Sequence, residues 1–349
     1  MDPTTFRLIQ GASGAASSKT DIVMGVNGTP YIEAYEWDDG FGTKYSDPST
    51  LPTNAVVEAN FNKAGDVVGF AQIGTPYCGA YPWESGTGFG TRFSDPGTLP
   101  PGNAYSCDFS PDDNYVLIGS YSSPYQATYN FSSSTGFGTK VSDPASAVTF
   151  AVRDAKFRPQ GDAVAFGLNI GLTNVSVRAY QWSSGYGSVY SNPASIPGGY
   201  CNEVAWSPDG DYVGFAHNTG EGLSVYAWGP GFGTKYTTTT LTTVGSALCW
   251  SSSGDAIALG HNTSPYIEVW QWSASSQFGT KYSDPSSALP GRPNSIHFHP
   301  NDDTILVATG ASPYIHAYEW SSSSGFGTKY ANPATLPAAA LYEAYFKPL

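Results

Sequence analysis

Glu58, Asp154, Glu203 and Glu343 stand at one recurring place in the chain, three residues before the aromatic of "VVEANF", "VRDAKF", "NEVAW" and "YEAYF". Ser106, Ala247 and Ser295 fill that place in the other copies. Four carboxylates brought to one point have the oxygen chemistry that binds a hard cation. The simpler reading is a water-filled channel lined by unrelated polar groups, and no metal and no cofactor is assigned. The position just before the aromatic varies as widely: Asn60, Asp108, Lys156, Ala205, Cys249, His297 and Tyr345. Asp108 and Lys156 read as an ion pair between neighbouring copies.

Other candidate chemistry is weaker. His217 and His261 occupy equivalent places in "AHNTG" and "GHNTS", so repetition explains them better than a paired metal site. His297 and His299 alternate on one strand, with no third ligand to be placed. "GTGFGT" has glycines spaced like a phosphate loop but sits in a hairpin, where no helix N-terminus follows. The acidic turns "PDDN", "PDGD" and "PNDD" are too short for a calcium loop and suit hairpins for backbone reasons. Tyr31, Tyr77, Tyr125, Tyr266 and Tyr314, in "TPY" and "SPY", lie beside loops on one face and form a candidate binding set for sugar or protein. Their alternative use is to fill space between units. No nucleophile motif surrounds any serine or cysteine.

The elements that must position these groups repeat. The aromatic of the phrase "GFGTKYSDP" recurs as Phe41, Phe89, Phe137, Tyr186, Phe232, Phe278 and Phe326, at separations of 48, 48, 49, 46, 46 and 48. The aromatic of "CDFSPDDN" and its relatives keeps step at 61, 109, 157, 206, 250, 298 and 346. Seven copies at a near-constant period are seven stacked units. Each unit resolves into two β-rich runs around a tight turn, an alternating strand such as "PYIEVWQW", and a short fourth strand followed by a proline-containing loop. The fold class is therefore all-β: a seven-bladed β-propeller of four-stranded antiparallel blades. "YEAYFKPL" is a first strand without its second, and "SSKTDIVMGV" a second without its first. Joining them closes the ring between the C-terminal strand and the N-terminal strands. Residues 18–349 form this single domain, with 1–17 as an N-terminal arm and candidate attachment segment.

At the outer edge, Lys44, Arg92, Lys140, Lys235, Lys281 and Lys329 recur, with Ser188 the exception. A cation on an edge strand discourages unwanted pairing. The Asp three residues on (Asp47, Asp95, Asp143, Asp284) is its expected partner.

"FSPDD", "WSPDGDYVGFAH" and the strand-ending tryptophans resemble the WD-repeat and related β-propeller families over roughly residues 18–349. That family's Gly-His and Trp-Asp pairs are mostly missing, so the resemblance implies a fold and no function. "SPYIEVWQW", "GFGTKYSDPSSALP" and "FSPD" further resemble propeller repeats in structural proteins of tailed bacteriophages. That resemblance implies a non-enzymatic structural or adhesive protein of a virion, set in the tail or on the capsid surface. Its expected partners are other virion proteins, with a host-surface glycan or protein as a further one. The competing expectations are a propeller lyase or hydrolase with its site at the channel mouth, and a bacterial carbohydrate-binding or scaffold propeller.

Charge narrows the classes. With 28 acidic against 15 basic residues the net charge is −13, which repels a polyphosphate backbone and argues against nucleic acid. No apolar run is long enough to span a bilayer, and "MDPTTFRLIQ" lacks the pattern of a signal peptide. Membrane insertion is not expected, and outside a virion the expected location is the cytoplasm. Cys78, Cys107, Cys201 and Cys249 stand too far apart for a zinc motif and read as free thiols.

Overall fold

In the repeat at 201–236, Cys201–Trp206 pairs with Tyr212–His217 across the turn "SPDGD", where Gly210 takes a φ of 66°. Asp209 is committed to this turn: it accepts the Ser207 hydroxyl at 2.6 Å and the Asp211 N–H at 3.0 Å. Acidic turn residues thus serve the backbone, as hairpin chemistry requires. Leu223–Gly229 and the outer strand Gly231–Tyr236 complete the blade.

The computed structural model describes residues 19–170, 175–238 and 243–349. The expected arm, 1–17, lies outside them. Every regular element described is a β-strand, in seven four-stranded antiparallel sheets. Among the described residues no helix is long and apolar enough to cross a membrane. Ring closure takes the expected form: Leu341–Phe346 pairs with Thr20–Val26, which continues to Ile32–Trp37 and Phe41–Lys44. One blade is therefore built from both ends of the described chain, which removes two open sheet edges.

Between blades the core is aromatic. The strand-ending tryptophan meets the ring of the outer-strand phrase edge-on, as in Trp37–Phe41 (5.1 Å, 89°) and Trp272–Phe278 (5.0 Å, 89°). Trp320 is gripped likewise by Tyr282, Phe298 and Phe326. Such edge-to-face pairs add about 0.5–1.5 kcal/mol each beyond burial. The turns join blades as well: Asp113 accepts the N–H groups of Lys63 at 2.8 Å and Ala64 at 2.9 Å in the preceding blade. At the outer edge, Lys44, Arg92, Lys140 and Lys281 pair with Asp47, Asp95, Asp143 and Asp284, as expected.

Every innermost strand carries an irregularity at the same place. The register slips so that Val57, Tyr105, Arg153, Asn202, Ser246, Asn294 and Tyr342 are each extra residues facing no partner. Bulges of this kind re-aim a side chain. Here they turn seven side chains to one end of the channel.

Candidate functional site at the channel mouth

All seven bulge residues line a cavity of about 300 Å³, together with Glu58, Asp154, Glu203, Glu343, Ile73 and Arg292. The four carboxylates that the sequence grouped are thus brought together. The seven bulge residues and Arg292 were not anticipated, because strict alternation turns the fourth residue before the aromatic away from the third. A signal existed nonetheless: across the repeats that position reads Val, Tyr, Arg, Asn, Ser, Asn, Tyr, whereas the buried position two before the aromatic is always apolar.

Several of these side chains stitch blade to blade. Glu58 accepts the Cys107 N–H at 3.1 Å, Asp154 that of Val204 at 2.7 Å, and Ser295 that of Ala344 at 3.0 Å. One residue earlier, Asn202, Ser246 and Asn294 donate to the carbonyls of Gly245, Pro293 and Leu341 at 2.7, 2.8 and 2.7 Å. These groups build the ring.

Lys156 sits among the carboxylates, hydrogen-bonded to Glu58 and 3.2 Å from Asp154. The expected pairing with Asp108 is replaced: Asp108 instead accepts the Phe157 N–H at 2.7 Å, while the flexible lysine reaches past it to Glu58. Burial opposes the charge on Lys156, but Asp154, Glu58, Asp108 and Glu203 together raise it well above its ordinary value. The ammonium fills the place a cation would take between Glu58 and Asp154. Among the described residues no three His, Cys, Asp or Glu groups are arranged to hold a metal ion.

Glu203 differs from its neighbours. Among the described residues its carboxyl makes no hydrogen bond and no ion pair, and it faces the cavity. Burial, then the nearby Asp154 and Glu343, raise it well above the carboxylate range. Burial likewise raises Glu58, against the pull of Lys156, and pushes Asp108 up to about 7. A raised carboxyl in a cleft can give and take a proton near neutral pH. Arg153 lines the cavity with its guanidinium 5.2 Å over the Tyr200 ring, and its buried Nε has no partner.

The remaining candidates lie elsewhere. Tyr31, Tyr77, Tyr125, Tyr266 and Tyr314 each take a φ between 69° and 73° and close a turn, as in Tyr31 N–H to the Gly28 carbonyl at 2.7 Å. They are half-buried against the cores between blades, and none lines the cavity. His217 is buried, bonded to the Thr219 carbonyl and the Ser224 hydroxyl at 2.8 and 2.9 Å, and desolvation lowers it to about 4.

No protein-family model matches the chain, and no curated protein matches it. Solved structures do. A periplasmic gluconolactonase of Pseudomonas aeruginosa superposes with a TM-score of 0.73 at 16% identity, covering 94% of this chain and 99% of that one. A protein of Bacteroides uniformis assigned as a 6-phosphogluconolactonase gives 0.69 at 13% identity over 94% and 99%. The Swd1 β-propeller domain of Myceliophteria thermophila gives 0.56 at 13% identity over 80% and 88%.

At these identities the likeness is one of fold, but it overturns an expectation. The resemblance to phage propeller repeats implied a non-enzymatic virion protein, a tail or capsid decoration. Rings matched to this chain over nearly their whole length include proteins named as lactonases, so the fold points towards a propeller of the enzymatic kind and away from the virion expectation. Blade regularity belongs to the rim, while the channel mouth carries unlike, protonatable groups around a cavity. The chain is a seven-bladed β-propeller whose innermost strands hold that cavity.

Proposed function

We propose that this propeller is a hydrolase that opens a lactone in the channel-mouth cavity. The observation that carries the reading is the Glu203 carboxyl, raised by burial, free of hydrogen bonds and facing a cavity of about 300 Å³ beside Arg153. The lactonase-named propellers of the same fold support it. In its ionised form Glu203 takes a proton from water as the oxygen adds to the lactone carbonyl. Charge gathers on the carbonyl oxygen, where the Arg153 guanidinium can stabilise it. The ring C–O bond then breaks, the ring oxygen receives the proton held by Glu203, and a hydroxy acid leaves. The ring of stitched asparagines, serine and carboxylates holds these groups in place, so little reorganisation accompanies the reaction.

The test is a pH-stat assay of δ-gluconolactone and its 6-phosphate. The native chain is expected to exceed spontaneous hydrolysis on one of them, with Glu203→Gln lowering kcat by on the order of 10²–10⁴-fold. The same variant should melt higher than the native chain at pH 8, the gap narrowing as the pH falls. The sign follows from linkage: a carboxyl raised by folding is favourable while protonated and loses that contribution as it ionises. No rate above background on either lactone overturns the reading.

A further inference from the structure

A second set of chemical groups lies deeper in the channel. Cys249 Sγ stands 4.0 Å from His297 Nδ1, and the opposite nitrogen of that ring bonds Glu343 Oε1 at 2.5 Å. The three residues come from three successive innermost strands, Gly245–Trp250, Pro293–Phe298 and Leu341–Phe346. Tyr345 fixes the imidazole by packing against it at 4.2 Å between ring centres. Thiol, imidazole and carboxylate in that order are the arrangement that activates a cysteine.

We propose that Cys249 is a reactive thiol, a modification site that does not itself line the mouth cavity but shares Glu343 with it, and that it takes uncharged electrophiles of the hydroperoxide class. Three observations support it. Cys78, Cys107 and Cys201 are buried and burial raises each thiol, whereas Cys249 alone is partly exposed. His297, although burial opposes its charge, is held protonated by Glu343 to about 10, so the sulfur faces an imidazolium that can supply a proton to a departing oxygen. The thiol donates its S–H to the Trp250 carbonyl at 3.2 Å, with the imidazole as its other polar neighbour. Charges of both signs, Lys156 against Asp108 and Glu343, act on Tyr345 beside the thiol, so an uncharged electrophile is the one they do not oppose. Ser246, which lines the mouth cavity, is three residues from Cys249 on the same strand, roughly 10 Å at the rise of a strand.

In the reaction the Cys249 thiol gives its proton to solvent, the sulfur attacks one peroxide oxygen and the O–O bond breaks. Sulfur is oxidised by two electrons to the sulfenic acid. The departing hydroxide takes the His297 proton and leaves as water, so the peroxide is fully reduced and the imidazole ends neutral.

The test labels the folded native chain with iodoacetamide, then separately with hydrogen peroxide followed by a sulfenic-acid trap, and maps the peptides by mass spectrometry. Cys249 is expected to be the first residue labelled in both, about tenfold or more faster than glutathione at pH 7. His297→Asn should remove that advantage, and Cys249→Ser the label itself. A native Cys249 that reacts no faster than glutathione overturns the proposal, and this arm needs no variant to fold.

Discussion

The rim and the channel of this propeller are made by the same repeat and obey opposite rules. At the rim, "GFGTKYSDP" returns with small edits and one recurring job: an aromatic wedged against the ring that ends the blade's third strand and, in four copies, a basic residue paired with an aspartate. In the channel, the third and fourth residues before the inner aromatic hold Glu and Val, Ser and Tyr, Asp and Arg, or Glu and Asn in four successive blades. Repeated residues reveal what every blade needs in order to pack. Residues that differ at a repeated position meet no need common to every blade, although several still link neighbouring blades, and those are the ones facing the cavity.

The contrast can be broken first at its packing side. Trp320→Ala removes a ring gripped by Tyr282, Phe298 and Phe326 and should cost about 3–5 kcal/mol, read as a lowered midpoint in urea. Lactone turnover by the remaining folded fraction should not change. A comparable loss of turnover per folded molecule would show that rim and channel are not separable.

An acid titration sharpens the comparison next. His217 and His316 are buried and uncharged, each lowered to about 4 by desolvation. A histidine depressed by folding contributes stability that is present above the ordinary value near 6.5 and is lost as the pH falls towards 4, about 3 kcal/mol for each. The urea midpoint should therefore drop between pH 6.5 and 4, and His316→Gln should flatten that drop. A midpoint insensitive to pH in this window would contradict the assignment of these histidines as packing residues.

The smallest effect belongs to the outer edge. Lys281 lies 3.0 Å from Glu268 and 2.9 Å from Asp284, yet both ion pairs are solvent-facing, so Lys281→Ala should cost only about 0–1 kcal/mol. Its purpose as an edge cation predicts a different readout: increased self-association of the variant in light scattering.

Much of the ring was legible because its information is local. A Pro-Asp-Gly turn, an alternating strand and a proline-containing loop each act within a dozen residues, and their recurrence counts the blades. Closure followed from a first strand at one end and a second strand at the other. The candidate site was legible only in part. Glu58, Asp154, Glu203 and Glu343 share a repeat position, so their convergence could be read. Arg153, Tyr105 and Tyr342 could not be placed by alternation, because the bulge beneath each reverses the face it would otherwise take.

Sequence alone therefore determined the strand pattern, the number of blades and the place where carboxylates gather. Tertiary structure decided their individual fates. Lys156 bonds Glu58 across two blades, Glu203 is left without a hydrogen bond, and Cys249, His297 and Glu343 fall into line. The physical reason is distance along the chain: these partners lie in different blades, 46–98 residues apart, and only the closed ring sets which side chains meet and which are left to react.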